Sequence, residues 1–383
     1  MAEAFKNLIN AKVAREVGHH LARVWPDFDQ AKFERAAITG LTELEFKARA
    51  QHLATALHQT LPREFPQAAR VLQASLKKVP KPRHAHDPDK ELGHLTTDET
   101  GLAGWALWAF GEYVARHGLE HPEMALQTLH AITQRFTAEF AIRPFIVTHP
   151  ALCFATLTKW SDDPSAHVRR LVSEGSRPRL PWGLRLQALV QDPTPTLPLL
   201  LKLQDDPSEY VRRSVANHLN DIAKDHPGLV ADWLEQHLPD APAARRALLK
   251  HASRTLIKQG DARILEAWGL GATLRGSVTL ALSPRQVAVG ESLQLAAVIR
   301  STAAKPQKLV IDYAVHHVKA SGATSAKVFK GWSFELGPRE ERHLVRSHSM
   351  KLITTRRYHA GRHAVDLRVN GEILATAEFD LTL

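Results

Sequence analysis

Two periodicities divide the chain. From the N-terminus to about Gly271, apolar residues recur at three- and four-residue spacing. Leu41-Thr42-Glu43-Leu44-Glu45-Phe46-Lys47 through Leu61 forms one apolar stripe of an amphipathic helix. Residues 99–118, 122–140 and 144–160 read the same way, punctuated by Gly118, Pro122 and Pro144. Strand patterns are absent from this half. Lys77–His94, with three prolines among lysine, histidine and aspartate, reads as a solvent-exposed loop.

After Gly271 the period becomes two. Ser277–Leu282 and Ser292–Arg300 alternate, and further strand candidates are Lys308–Val318, Ala326–Leu336, Arg342–Leu352, His363–Asn370 and Ile373–Leu383. Gly-Glu, Ser-Gly, Gly-Pro and Asn-Gly turns separate them. Seven or eight short strands over this length predict an immunoglobulin-like β-sandwich, on pattern alone and without the paired cysteines of antibody domains. The expected organisation is a helical domain over residues 1–271 and a sandwich over residues 275–383.

Inside the helical half one phrase occurs twice. Asp162-Asp163-Pro164-Ser165-x-x-Val168-Arg169-Arg170 returns 43 residues later as Asp205-Asp206-Pro207-Ser208-x-x-Val211-Arg212-Arg213. A period of this size marks stacked helix pairs of the HEAT or armadillo type, each turning at Asp-Pro and restarting with a serine cap. The segment Ser173-Glu174-Gly175-Ser176-Arg177-Pro178-Arg179-Leu180-Pro181-Trp182-Gly183 lies between the copies, where a spacer helix would need neither its glycines nor its prolines.

Charge adds a partner. The formal net charge is +10, and residues 275–383 alone hold 16 Lys+Arg against 9 Asp+Glu. That balance favours a polyanion, with nucleic acid first, and gives the sandwich a contact role. Cys153 is the single cysteine, which excludes an internal disulfide and points to a reducing compartment. No apolar run approaches membrane-spanning length and no signal-peptide core opens the chain, so a cytoplasmic, nucleoid-associated monomer without membrane contact is expected.

Several groups are candidates for chemistry. Arg169-Arg170 and Arg212-Arg213 open helices, where the helix N-terminus adds positive potential. With Lys159, Arg177, Arg179 and Arg185 they could track a phosphate backbone. Alternatively the first arginine of each pair bonds the Asp-Pro turn, leaving the second to solvent or phosphate. Glu139, Glu174 and Asp221 place one carboxylate in each successive repeat, although spacing alone favours local pairs of Glu139 with Arg143 and Asp221 with Lys224. Trp182, between Pro181 and Gly183, could face a sugar or base; alone, such a ring is more often core. The 22 histidines include His19-His20, His84-x-His86, His316-His317 and His359-x-x-x-His363, yet none joins a carboxylate in a metal-binding pattern. No metal or cofactor is expected.

The segments Thr137–Phe145 and Ser173–Gly183, the latter after Val168-Arg169-Arg170-Leu171, resemble the signature of the AlkC DNA glycosylases, members of the HEAT-like AlkC/AlkD superfamily. The resemblance covers the whole helical half, and the sandwich is similar to that of the AlkC subset with an immunoglobulin-like domain. It implies excision of cationic N3-alkylated bases, chiefly 3-methyladenine and 3-methylcytosine, from duplex DNA without metal, cofactor or base flipping. It further implies that Glu139, Glu174 and Asp221 surround the lesion deoxyribose with Trp182 beside them. The sandwich would approach the minor groove, with Arg356, Arg357, Tyr358, His359 and Arg362 as the candidate contacts. Two other readings stay open: a protein-binding repeat scaffold, and a lesion sensor that binds without excising.

Overall fold

The computed structural model describes residues 5–79, 95–270, 272–353 and 357–383. Most of the Lys77–His94 segment, from Pro80 onward, therefore lies outside the described residues, as does Arg356. Helices precede strands along the chain, and the fold is a helical region followed by an immunoglobulin-like sandwich. Two compact units emerge from packing: residues 1–225 with 242–252, and residues 226–241 with 253–383. The helices Pro227–His237, Arg254–Gln259 and Ala262–Ala267 thus pack with the sandwich unit, although the change from helix to strand falls after Ala267.

In the first unit the 43-residue phrase is a structural repeat. Asp163 accepts the Ser165 N–H at 2.8 Å, and Asp206 accepts the Ser208 N–H at 2.9 Å. Arg169 donates to the carbonyls of Asp163 (2.8 Å) and Pro164 (3.0 Å); Arg212 donates to those of Asp206 and Pro207 (2.8 Å). Each Asp-Pro turn is therefore closed by its own arginine. Neither serine hydroxyl caps its helix, because the aspartate two residues earlier makes the turn bond instead. Ion pairs between neighbours repeat too, Lys202 on Asp162 and Arg245 on Asp205. Helix Glu209–Ile222 packs against Ala166–Gly175 and Ala243–Ala252, burying Val211, Val215 and Leu219 with Val168, Leu171 and Leu249.

The expected helices are shorter or broken. That over 41–61 is a 3-10 turn, Leu41–Glu43, and a helix, Phe46–Thr60, and that over 99–118 begins at Ala106. The one over 122–140 stops at Thr133, where Arg135 donates to the Ala131 carbonyl (2.6 Å) and tightens the last turn. Glu139 consequently sits in a turn rather than at a helix end. The one over 144–160 is two helices, Arg143–Thr148 and Pro150–Trp160. Pro150 disfavours helical dihedrals at His149, which takes φ −132° and ψ 54°.

The second unit holds β1 (Gly276–Ser283), β2 (Gln286–Ala288), β3 (Ser292–Ser301), β4 (Gln307–Val318), β5 (Thr324–Leu336), β6 (Glu341–Ser349), β7 (Gly361–Val369) and β8 (Glu372–Thr382). They form two sheets, β1-β3-β6 and β2-β8-β7-β4-β5, antiparallel except for β2 beside β8. Alternate residues such as Leu293, Leu295, Ile311, Val315, Val365, Leu367 and Phe379 fill the core between them. A bulge at Ile311/Asp312 lets β5 pass close by at Gly331, where a Cβ would lie 2.3 Å from the Ile311 carbonyl oxygen.

Candidate active site

The three carboxylates come together. Glu139, in the Gln134–Ile142 turn, accepts Arg170 Nη1 at 2.7 Å. Arg170, on helix Ala166–Gly175, also donates to Thr137 Oγ1 at 2.6 Å and lies 3.6 Å from Glu174 on the same helix. Glu174 Oε1 accepts Arg177 Nη1 at 2.6 Å, and its Oε2 accepts the Ser214 hydroxyl at 2.6 Å. Arg177 turns its other edge to Asp221 Oδ2, 2.8 Å from both Nε and Nη2, while Lys224 holds Asp221 Oδ1 at 2.9 Å. The result is a chain of alternating charge: Glu139, Arg170, Glu174, Arg177, Asp221. Packing of successive elements makes it possible: Arg170 and Glu174 share helix Ala166–Gly175 and Arg177 follows it, while Glu139 comes from the preceding turn and Asp221 from helix Glu209–Ile222.

Local pairing explains little of this. Glu139 does not take Arg143; Asp221 does take Lys224, but shares its charge with Arg177. Arg170 is largely enclosed by two carboxylates and the Tyr210 ring, 5.3 Å from the guanidinium carbon.

All five charged side chains are largely buried, Asp221 to 2% exposure. Burial works against the Glu174 carboxylate, yet Arg170 and Arg177 overcome it and hold the group below its ordinary range. Burial likewise pulls down on both arginines, and Glu139, Glu174 and Asp221 more than compensate. Glu174 is therefore an ionised group at neutral pH. With Lys224 on Asp221, three carboxylates meet three cations, so the cluster is formally balanced while its acids stay concentrated at one place in a protein of net charge +10.

Trp182 is no core residue. It is 83% exposed and adopts φ 62° in the turn where Gly183 N–H meets the Leu180 carbonyl. Pro181 before it and a left-handed residue at the third position match a type II turn, in which glycine or asparagine normally stands there. Leu184, 53% exposed, extends the same loop.

The remaining expected contacts scatter. Lys159 and Arg185 are exposed. Arg169 is tied to Asp206 at 2.6 Å and Arg212 to its own Asp-Pro turn, so both serve the repeat. Arg179 pairs with Asp225 at 2.6 Å and Arg213 with Glu209 at 2.7 Å, the latter at the surface. In the sandwich, Arg357 is exposed and Arg362 reaches Asp380 at 3.4 Å. The Tyr358 ring packs in the sandwich core, which leaves it little surface for a ligand, and His359 is half-buried. Sequence reasoning missed Ser214, Tyr210 and the buried His218, whose Nδ1–H donates to the Ser173 carbonyl at 2.9 Å just before Glu174. No local pattern marks them, since their partners lie 40 or more residues away.

A family model described as "Uncharacterised protein YhaZ, C-terminal Ig-like domain" matches residues 277–383. The "Uncharacterized protein YhaZ" of Bacillus subtilis (strain 168) is 35% identical over 378 residues, 98% of this chain and 99% of its own length. Pseudomonas fluorescens alkylpurine DNA glycosylase AlkC, solved bound to DNA containing an abasic site analog, superposes with a TM-score of 0.88 at 36% identity over 100% of both chains. The chain belongs to the AlkC family. In this AlkC-family chain the segments 137–145 and 173–183 supply Glu139, Arg143, Glu174, Arg177 and Trp182, so the residues that carry the resemblance also build the acidic chain and the exposed turn.

Proposed function

We propose that this AlkC-family protein is a DNA glycosylase that removes cationic N3-alkylated bases, 3-methyladenine and 3-methylcytosine, from duplex DNA by hydrolysis. The observation that carries the reading is the buried Glu139–Arg170–Glu174–Arg177–Asp221 chain, which gathers three carboxylates at one place in a strongly basic protein. An ionised Glu174 is a poor general acid. A base alkylated at N3 already bears positive charge and leaves without protonation, so none is needed.

The glycosidic C1′–N bond breaks with its electron pair leaving on the base, whose charge is thereby neutralised. Positive charge develops on C1′ and the ring oxygen. Carboxylates aimed at that charge stabilise it, each by roughly 3–4 kcal/mol where the group is preorganised in a site of low dielectric. A water positioned by one of them adds its oxygen to C1′ and gives up a proton to the carboxylate. An abasic site and a free base result. Trp182, presented to the same sugar, adds a cation–π contribution. Exposed Lys159, Arg185 and Arg213 in the helical unit and Arg357 and Arg362 in the sandwich are the proposed phosphate contacts. Backbone binding along a repeat surface requires no base flipping.

The test is release of free 3-methyladenine and 3-methylcytosine from methylated duplex DNA, in EDTA, by wild type beside Glu174→Gln. Release by wild type alone supports a metal-independent glycosylase with Glu174 in its site. No release from either, with tight and salt-sensitive binding, would leave a lesion sensor; absence of binding as well would leave a protein scaffold.

A further inference from the structure

We propose that Arg143 is a positioning residue: one buried guanidinium hooks the Trp182 turn onto the helix that carries Glu174. Its Nη1 donates to the Gly175 carbonyl at 2.9 Å and its Nε to the Leu184 carbonyl. Gly175 is the last residue of the Glu174 helix, and Leu184 lies two residues past Trp182. A single planar group therefore spans the two segments, one bearing an acid and the other the exposed ring.

Three observations argue for more than packing. First, the turn stores strain. A tryptophan at φ 62° persists only where its surroundings over-determine the conformation. The turn's own bonds, Gly183 N–H to Leu180 and Leu186 N–H to Pro178, are both long at 3.2 Å. The charge-assisted bond from Arg143 is the strong restraint. Second, Arg143 is fully buried at 0% exposure, and its Nη2 has no hydrogen-bond partner among the described residues. Burying a charged donor unsatisfied is expensive, and an apolar side chain would fill the space with no such penalty. Burial, and next the charge of Arg177, pull the guanidinium down to about 10, which leaves it protonated at neutral pH. Third, the local fit is close on both sides. A Cβ at Gly175 would lie 2.7 Å from Ile142 Cγ2, and one at Gly183 would lie 3.0 Å from Leu180 Cδ2 and 3.4 Å from Arg143 Cδ. Glu139, four residues before Arg143, is already occupied by Arg170, so Arg143 is committed to the two carbonyls.

The experiment combines Arg143→Lys, Trp182→Asn and the double variant in the full chain, and only its rate arm depends on the glycosylase reading. Lysine keeps the charge but cannot span both carbonyls. Hydrogen exchange should speed up about tenfold at amides 180–186 in Arg143→Lys, while amides elsewhere in the helical unit keep their protection. Single-turnover excision should fall about tenfold at unchanged DNA affinity, and the double variant should be no slower than Trp182→Asn alone. Exchange that quickens uniformly, or rate losses that multiply, would overturn the proposal. If Arg143→Lys does not fold, Gly183→Ala, which pushes on the same turn and leaves the charge in place, carries both readouts. Should wild type release no methylated base, the glycosylase reading falls, and localised exchange alone decides whether Arg143 holds the turn.

Discussion

Replacing Arg177 with methionine tests the acidic chain directly. Arg177 contacts Glu174 at 2.6 Å and Asp221 at 2.8 Å, and the two acid side chains are 8% and 2% exposed. Removing the shared cation leaves two buried carboxylates, of which Glu174 keeps Arg170 at 3.6 Å and Ser214, and Asp221 keeps, among the described residues, the partly exposed Lys224 at 2.9 Å as its ion pair. Breaking a buried pair costs about 3–5 kcal/mol, because the charge left behind stays desolvated. The deficit should depend on pH with a definite sign. In wild type, Glu174 titrates below its ordinary value, so its stabilisation is present above the usual carboxylate range and is lost as pH falls through the folded value. In the variant, burial wins and the folded state takes up protons more readily than the unfolded chain. Acidification then relieves the variant while it weakens wild type, and the gap should narrow to about half by about pH 5. Urea unfolding of both proteins at neutral and mildly acidic pH, followed by a helix signal, measures this. A loss under about 1 kcal/mol, or one unchanged with pH, would show that Arg177 is not the counter-charge that keeps these acids ionised.

Other outcomes follow from the same geometry. Trp182→Asn should leave stability within about 1 kcal/mol of wild type, since relief of left-handed strain offsets the little area the exposed ring buries. The same change should slow excision by about 30-fold, the equivalent of a desolvated cation–π contact, in single-turnover assays. Burial lowers His218 to about 4, so the folded chain resists its protonation; stability present above the ordinary histidine value should decline between about pH 6.5 and 4, by at most about 3 kcal/mol. His218→Asn, which keeps a donor for the Ser173 carbonyl, should flatten that window in thermal melts across pH. Arg357→Ala should weaken DNA binding evenly across sequences and reduce the slope of log affinity against log salt by about one.

Pattern carried the fold further than the site. Strand limits follow from alternation, as in β3, because each buried residue on one face repeats the same signal. β2 was missed, since its three residues are too few to alternate and its pairing is with β8 nearly a hundred positions later. The Asp-Pro-Ser phrase shows its period and its turn, and the first arginine of each pair closes that turn through contacts five and six residues back. The second arginine does not repeat: Arg170 enters the acidic chain while Arg213 stays at the surface on Glu209. The flanks separate them in part, since Glu209 precedes Arg213 by four residues where Arg170 has Ala166, but Glu139, the first partner of Arg170, lies 31 residues away in the previous repeat. The acids themselves entered through family resemblance, since local spacing favoured i,i+4 and i,i+3 partners. Arg143 was hidden for the same reason, its carbonyl acceptors lying 32 and 41 residues onward.

Interleaving arginines among the acids resolves a conflict built into the proposed activity. A bare cluster of three carboxylates would repel the phosphates that must pass close to any sugar in a duplex. Pairing all three charges with Arg170, Arg177 and Lys224 shortens the reach of the negative field, while the protein's +10 governs the approach of DNA from a distance. Within contact range the carboxylate oxygens still act on a neighbouring sugar, where positive charge rises only as the bond breaks. The same pairing depresses Glu174 and removes it as a proton donor, and His218 is buried with its titration shifted well below neutrality. Neutral bases that leave only after protonation gain nothing from such a site. On this reading the preference for cationic bases needs no pocket around the base: it follows from a site that stabilises the sugar and supplies no acid.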